Sequence, residues 1–216
     1  RDETVEHNYP HCWRCRNPLI YRALDAWYFK VEAIRDSLLN ANERVAWYPD
    51  TVKHGRFGNW LENARDWNIS RNRYWATPIP VWECGSCGKH RVLTVAEIEQ
   101  EHGKQLPDLH KEFLDDVHVS CSCGGKSRRV PEVLDCWFES GSMPYGQFHY
   151  PFENAEHFNA HFPADFIAEG TGQIRCWFYY LHVLSTAIFG KPAFQNCLVT
   201  GTLLASDGKK MSKSLK

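Results

Sequence analysis

Residues 164–205 read ADFIAEGTGQIRCWFYYLHVLSTAIFGKPAFQNCLVTGTLLA, and this stretch decides the fold class. The apolar run 164–170 ends in a carboxylate and a glycine, which predicts a buried strand. The segment 173–189 predicts a helix that Gly190 ends, and 197–205 predicts a second strand. Four apolar side chains recur on one face of that helix: Ile174, Phe178, Leu181 and Ile188. Strand, helix and strand make a βαβ unit, so we expect an α/β fold with a parallel sheet.

Ligands of parallel sheets bind beyond the carboxyl ends of the strands. Glu169, Gly170 and Gly201 stand at those ends, and the loop SDGKKMSKSL at 206–215 follows them. Its cations and hydroxyls are those of Lys209, Lys210, Ser212, Lys213 and Ser214. Such a loop can close over a triphosphate and neutralise the charge that develops as pyrophosphate departs. The alternative is a solvated basic tail, and the preceding βαβ unit favours the phosphate role.

Two short cysteine pairs indicate a metal site. Cys84 and Cys87 form one pair, and Cys121 and Cys123 form the other. Four thiolates can close a tetrahedral Zn²⁺ site, and the glycines beside them allow tight turns. A closed four-cysteine site is normally structural, so we expect no catalytic role for it. The alternative is reduced cysteines that pack as small apolar groups.

The other five cysteines give weaker signals. Cys12 and Cys15 form a lone CxxC. Three interpretations are open: half of a second zinc site whose other ligands lie outside this chain, a redox pair, or two cysteines that simply pack. Cys136, Cys176 and Cys197 each stand among apolar residues, and we expect them to pack in the core.

Charge and hydropathy restrict the compartment and the partners. Lysine plus arginine number 25 and aspartate plus glutamate 26, so phosphate recognition must be local rather than the work of a global basic field. There is no apolar run of 18 residues and no signal-peptide pattern at the start, RDETVEH. We expect a cytosolic chain with no membrane partner.

Local patterns add smaller expectations. Apolar spacing predicts a helix over 31–41, and Thr94 with Glu97 predicts a capping box at the start of another. Pro78 and Pro80 favour extended backbone around them.

Several longer stretches resemble a known family. KMSKS at 210–214 is the second signature of the class I aminoacyl-tRNA synthetases, and the chain is similar to the isoleucyl enzymes of that class from about Asn8 onward. The stretches that carry this resemblance are NISRNRYWATPIPVW (68–82), DCWFESGSMPY (135–145), FPADFIAEG (162–170) and GKPAFQNCLVTGTLLASDGKKMSKS (190–214).

The resemblance implies a division of the chain into three parts. Residues 1–81 match the catalytic-domain segment that follows the editing insertion, 82–128 a zinc-binding insertion, and 129–216 the second half of a Rossmann-like catalytic domain. No HIGH-like motif precedes KMSKS, and neither the editing domain nor the anticodon-binding domain is matched. We therefore expect a fragment that is incomplete without the remainder of the synthetase.

The resemblance also implies roles for single residues. Trp137 and Trp177 match the tryptophans that wall the isoleucine side chain, although core packing is the other interpretation of both. The implied contacts of the aminoacyl adenylate come from Glu169, Gly170 and Gln173, and that of adenine from Gly201. Lys210 and Lys213 match the catalytic signature lysines, and Ser212 and Ser214 complete their loop.

The implied substrates are ATP with Mg²⁺, isoleucine and tRNA(Ile). Three positions depart from the family pattern: Gly172 stands where an Asp usually holds a ribose hydroxyl, Cys176 replaces a Gly and Thr200 replaces an Asn. Thr171 or a main-chain group would have to substitute for the missing carboxylate.

Two alternatives remain open at this point. One is a non-catalytic zinc module that binds RNA, which the four paired cysteines and the many aromatic residues favour and the neutral net charge opposes. The other is a synthetase of the same class for valine or leucine, which the pocket around Trp137 would decide.

Overall fold

The chain has a mixed α/β structure, seen in a computed structural model that describes residues 3–12, 14–209 and 211. The described strands, numbered along the chain, are β1 (Tyr28–Phe29), β2 (Ala46–Tyr48), β3 (Trp67–Asn68), β4 (Ser70–Arg71), β5 (Val81–Cys84), β6 (His90–Val92), β7 (His118–Ser120), β8 (Lys126–Arg129), β9 (Val133–Leu134), β10 (Ala164–Gly170) and β11 (Phe194–Thr200). The described helices are α1 (Arg35–Glu43), α2 (Gly58–Glu62), α3 (Val95–His102), α4 (Lys111–Leu114), α5 (Cys136–Gly141), α6 (Met143–Gly146), α7 (Ala155–His161) and α8 (Trp177–Phe189). None of these helices is long and apolar enough to cross a membrane.

A three-stranded parallel sheet in the order β10, β11, β2 organises the second half of the chain. Strand β10 pairs with β11 through α8, so the predicted βαβ unit is confirmed. The register places Glu169 beside Val199 and Gly170 beside Thr200, which aligns the carboxyl ends of the two strands. Strand β2, far earlier in the sequence, joins the other side of β11.

The prediction that 164–170 is a buried strand is wrong. Strand β10 lies at an edge of the described sheet, and Phe166 is 59% exposed. The apolarity of a strand indicates only its tendency to be buried. How much of the strand is buried depends on the strands and helices that pack against it. The second strand covers Phe194–Thr200 rather than 197–205, and the side chain of Cys197 within it is fully buried as expected.

Helix α8 begins later than its apolar pattern predicts. A 3₁₀ turn covers Thr171–Arg175, Cys176 has non-helical angles (φ −126°, ψ −114°), and the helix starts at Trp177. Gly190 ends it in the left-handed conformation (φ +63°), as predicted. The assignment of Ile188 to the buried face is wrong, because its side chain is 55% exposed.

Helix α8 lies at the centre of the main core. Its buried side chains pack with residues of α1, α2 and the parallel sheet, and this set includes Trp47, Phe57, Leu61, Phe178, Leu181, Leu184 and Phe194. Burial of each such side chain away from water stabilises the fold by roughly 1.5–3 kcal/mol. The helix predicted over 31–41 begins as a 3₁₀ turn at Glu32–Ile34 and continues as α1.

The cysteine-rich segment forms a separate antiparallel sheet in the order β6, β5, β8, β7. Trp82, Leu93, Ile98, Val117 and Val119 make its small core. Helix α3 begins at the predicted capping box, where the Thr94 side chain accepts the Glu97 N–H and the Glu97 carboxylate accepts the Thr94 N–H.

Candidate functional site

Four thiols from two turns meet at one end of the antiparallel sheet. Their sulfur atoms all lie within 4.8 Å of one another. Cys84 Sγ lies 3.6 Å from Cys123 Sγ, and Cys87 Sγ lies 3.8 Å from Cys121 Sγ. Tetrahedral zinc with Zn–S bonds of about 2.3 Å separates its sulfurs by about 3.8 Å. The predicted cysteine pairs are therefore together, in an arrangement that can hold a metal ion.

The backbone around these thiols favours their ionised form. The N–H groups of Ser86 and Cys87 lower the pKa of Cys84 to about 6, and the N–H of Cys123 lowers the pKa of Cys121. The N–H of Lys89 favours a thiolate at Cys87 as well, but hydrogen bonds with Cys123 and Cys84 outweigh it and raise the pKa of Cys87 to about 12. The proton is thus shared unevenly, and a cation would displace it.

Glycine is required where the two turns approach each other. A Cβ on Gly125 would lie 2.6 Å from Ser86 Oγ and 3.1 Å from Cys84 Sγ. Gly88 and Gly124 have φ of +67° and +83°, which L side chains rarely adopt. These glycines let the chain fold closely around the sulfurs.

The lone pair Cys12 and Cys15 also lies in a turn. Cys12 donates its N–H to Asn17 O (2.8 Å) and accepts from Arg16 N (2.8 Å), and the N–H of Cys15 lowers the pKa of its thiol. Within the described residues, no third histidine, cysteine or carboxylate joins this pair.

The core-packing expectation for the remaining cysteines holds only in part. Cys197 is buried, Cys176 is half-buried, and the assignment of Cys136 to the core is wrong because that residue is exposed at the start of α5.

The carboxyl ends of β10 and β11 bring several predicted site residues to one edge. Glu169 and Gly170 end β10, and Gly201 follows β11 directly. The Glu169 carboxylate accepts the N–H of Gly170 (2.9 Å), which fixes its orientation. Beyond the strand ends, Thr171 Oγ1 and Thr202 Oγ1 lie 3.3 Å apart. This edge offers a carboxylate, two hydroxyls and open backbone to a ligand.

Gln173 connects this edge to α8. Its Oε1 accepts the N–H of Trp177 at 3.0 Å, so the side chain is held at the start of the helix. Its amide nitrogen has no hydrogen bond to any described residue and can donate to a ligand. A glutamine held by its oxygen presents its nitrogen in a defined direction.

The two predicted pocket tryptophans lie where α5 and α8 pack together. Trp177 Nε1 donates to Ser140 O on α5 (3.3 Å), and Trp137 stacks on Tyr180 of α8 with ring centroids 5.4 Å apart. Both are half-buried against the main core. Trp177 lines a largely apolar groove of about 350 Å³ with residues that include Met143, Phe166, Ile167 and Leu181. Trp137 is not part of that lining.

A buried carboxylate behind Trp137 was not predicted from the sequence. Asp135 is 3% exposed; its Oδ2 accepts from Trp67 Nε1 (2.9 Å) and pairs with Arg71 Nη2 (2.9 Å). Its position directly before α5 makes it an anchor for the residues that follow. The available signal was that Asp135 and Arg71 both fall in the stretches that carry the family resemblance.

The lysine-rich loop is described mainly at its start. Lys210, Ser212, Lys213 and Ser214 lie outside the described residues. The turn that leads into the loop is described: Gly208 donates its N–H to Ala205 O (2.9 Å) and has φ of +77°, and Lys209 pairs with Asp207 (3.3 Å).

Comparisons with known proteins give consistent matches. The sequence model of the tRNA synthetases class I (I, L, M and V) matches residues 3–216. Isoleucine–tRNA ligase of Treponema denticola is 59% identical over 214 residues, which are 98% of this chain and 20% of that protein. The Mycobacterium tuberculosis isoleucine–tRNA ligase is 51% identical over 223 residues, 100% of this chain and 21% of that protein. The chain thus spans about a fifth of the length of these curated relatives.

A solved structure shares the fold. The crystal structure of the ternary complex of Agrobacterium radiobacter K84 agnB2 LeuRS-tRNA-LeuAMS superposes with a TM-score of 0.52 at 23% identity. The match covers 76% of this chain and 24% of that one.

Proposed function

The chain belongs to the class I tRNA synthetases of the I, L, M and V group, and we propose that it carries part of the active site of an isoleucine–tRNA ligase. The observation that carries the proposal is the meeting of Glu169, Gly170 and Gly201 at one sheet edge, with Gln173 held beside them. Identity of 51–59% to proteins named isoleucine–tRNA ligase supports isoleucine over valine or leucine.

The reaction would proceed in two steps. The carboxylate of isoleucine attacks the α-phosphorus of ATP in line, which forms isoleucyl adenylate and releases pyrophosphate. The terminal ribose hydroxyl of tRNA(Ile) then attacks the acyl carbon and releases AMP. ATP enters as its Mg²⁺ complex. Positioning and charge stabilisation account for most of the acceleration in such chemistry, so no protein general base is needed for the first step.

The residues of the edge would divide the work of positioning. Glu169, with its orientation set by the Gly170 N–H, and the free amide of Gln173 would contact the adenylate. At Gly201, exposed backbone would approach adenine. The Thr171 and Thr202 hydroxyls would bind the ribose in place of the carboxylate that Gly172 lacks. Trp177, with Trp137 behind it, would form the apolar wall for the isoleucine side chain.

The lysine-rich loop would act on the leaving group. Lys210 and Lys213 would neutralise the charge on departing pyrophosphate, with Ser212 and Ser214 as further donors. The left-handed Gly208 supports a loop that can turn back over the sheet edge.

The four-cysteine cluster would hold a structural zinc ion. The spacing of its sulfurs supports coordination by all four cysteines, with no open position for substrate, and the lowered pKa of Cys84 and Cys121 favours these two as thiolates. Thiols kept for metal also fit a reducing compartment, the cytosol. Cys12 and Cys15 would supply two ligands of a second zinc site whose remaining ligands lie in other parts of the synthetase.

The three proposed parts divide these tasks. Residues 82–128 would form the zinc insertion, and 129–216 would complete the nucleotide-binding half of the catalytic domain that 1–81 supports. Residues that the relatives carry outside the matched region would supply the other half.

Isoleucine-dependent ATP–pyrophosphate exchange tests this function. The assay is run on the chain alone and on the chain mixed with the amino-terminal catalytic segment of the Treponema denticola enzyme. We expect exchange only in the mixture, and at least a tenfold loss with Gln173→Ala, since one hydrogen bond is worth about 1.4 kcal/mol. The matched control is Gln195→Ala, an exposed amide near the amino end of β11 that should leave exchange unchanged.

Absence of exchange in the mixture, with a folded and zinc-loaded chain, would overturn the proposal. Faster exchange with valine or leucine than with isoleucine would reassign the amino acid and leave the reaction class in place.

A further inference from the structure

A second pocket opens at the same edge of the parallel sheet, on the side of β2. Its volume is about 430 Å³. Pro49, Thr171 and Gly201, which directly follow β2, β10 and β11, all line it, so it lies at the carboxyl ends of three parallel strands. Parallel sheets bind their ligands at such edges. Arg56 and Thr51 complete the polar part of the lining.

An irregular turn holds Arg56 at this pocket. Residues Lys53–Phe57 form a kinked turn, and the kink is at Gly55, whose backbone angles are not helical (φ −78°, ψ −106°). The turn closes because Gly58 has no side chain: a Cβ there would lie 2.8 Å from the Lys53 carbonyl oxygen. Phe57 anchors the other end, fully buried against Trp47 with ring centroids 4.6 Å apart.

Arg56 differs from its cationic neighbours in having no counter-charge. Lys53 Nζ and His54 Nδ1 lie 3.3 and 3.5 Å from the carboxylate of Glu43. Arg56 forms no hydrogen bond or ion pair with any part of the chain that the structure describes. No aspartate or glutamate lines the pocket, but the hydroxyls of Thr51 and Thr171 do. The pocket is therefore electropositive and supplied with donors.

We propose that Arg56, with the hydroxyl of Thr51, binds a phosphate group of the nucleotide at this edge. The planar guanidinium offers paired N–H donors that match two phosphate oxygens, and the threonine hydroxyl can donate to the third. The assignment to a nucleotide rests on the proposed function, whereas the anion site rests on the pocket alone. Arg56 would act as a binding residue that positions the phosphate.

Calorimetric titration of the chain with sodium pyrophosphate, and separately with ATP, tests the inference. We expect Arg56→Gln to weaken pyrophosphate binding by tenfold or more, because a hydrogen bond to a charged group is lost. Arg56→Lys keeps the charge but not the paired N–H donors of the guanidinium, so its affinity for pyrophosphate should lie between those of wild type and Arg56→Gln. The control Arg65→Gln removes the same charge from an exposed arginine outside the pocket lining and should stay within twofold of wild type. The thermal midpoint of Arg56→Gln should equal that of wild type, since the exposed Arg56 side chain forms no described hydrogen bond or ion pair.

Two results would overturn the inference: no pyrophosphate binding by the wild-type chain at millimolar concentration, or equal binding by wild type and Arg56→Gln. Exchange activity separates this from the proposed function. Loss of pyrophosphate binding in Arg56→Gln, when the mixture with the wild-type chain also shows no exchange, supports the anion site and counts against the synthetase function. Normal exchange with an unchanged KM for ATP in Arg56→Gln removes Arg56 from the nucleotide site and leaves the function intact.

Discussion

Replacement of Asp135 by alanine should destabilise the chain by about 3 kcal/mol. The carboxylate is 3% exposed and holds two partners at 2.9 Å, the indole N–H of Trp67 and the guanidinium of Arg71. Trp67 is buried, so its N–H would lose its only described acceptor at a cost of about 1–3 kcal/mol. The Arg71 side chain is 37% exposed and can return to water, so the ion pair adds only about 1 kcal/mol.

Urea unfolding followed by tryptophan fluorescence measures the change, because Trp67 donates a hydrogen bond to Asp135 and Trp137 lies two residues after it in the sequence. Asp135→Asn is the matched control: it keeps an oxygen that can accept from Trp67 and loses only the charge, so we expect about 1 kcal/mol. The reasoning fails if alanine costs less than 0.5 kcal/mol, roughly the value for an ordinary surface substitution. It also fails if Asp135→Asn destabilises the chain as much as Asp135→Ala, because the hydrogen bond from the Trp67 indole would then not be the main contribution to stability.

Three further predictions test other parts of the structure. Burial lowers the pKa of His182 from about 6.5 to about 4 in the folded chain, so the unfolded chain becomes protonated at a higher pH than the folded chain. The free energy of unfolding, measured in urea, should therefore fall by about 3 kcal/mol between pH 6.5 and pH 4. His182→Gln should remove this contribution. Gly141→Ala would place a Cβ 2.9 Å from Leu184 Cδ1 and 3.0 Å from the Tyr180 carbonyl oxygen, and should lower stability by about 1–3 kcal/mol in the same assay, whereas Gly146→Ala, with nothing within 4 Å, should not. Removal of metal with a strong chelator should release one zinc per chain by atomic absorption and unfold the antiparallel sheet, and Cys84→Ser should reproduce both effects; retention of the sheet by circular dichroism would contradict a structural metal.

Local patterns predicted the parts of the fold that neighbouring residues determine. The capping box at Thr94, the stop at Gly190 and the thiol pairs depend on a few consecutive residues, and all three are present. The βαβ unit was predictable because two strands joined through a helix pair in parallel. The exposure of β10 and of Ile188 was not, because it depends on which elements cover them and not on their own apolarity.

The missed polar residues share a different physical cause. Asp135 and Arg71 are 64 residues apart in sequence but form one ion pair. Arg56 reaches the sheet edge only because an early strand, β2, joins β11 in the parallel sheet. Charged residues are ordinarily solvated. Which of them becomes buried, or lies at a pocket without a counter-charge, depends on contacts between residues that are far apart in the sequence. Such sites therefore need the tertiary structure.

The cysteine cluster can influence the proposed pocket only through position. Its sulfurs stand on the antiparallel sheet and contribute no side chain to the edge formed by β10 and β11. Strand β8 runs from the cluster to Arg129, whose Nη1 donates to Glu132 O (2.8 Å), and β9 then pairs with β4. The next residue is Asp135, held by Arg71 of β4, and α5 with Trp137 follows it. We therefore expect metal loss to loosen the Asp135 anchor before it affects the strand ends, so that amino-acid binding weakens more than nucleotide binding.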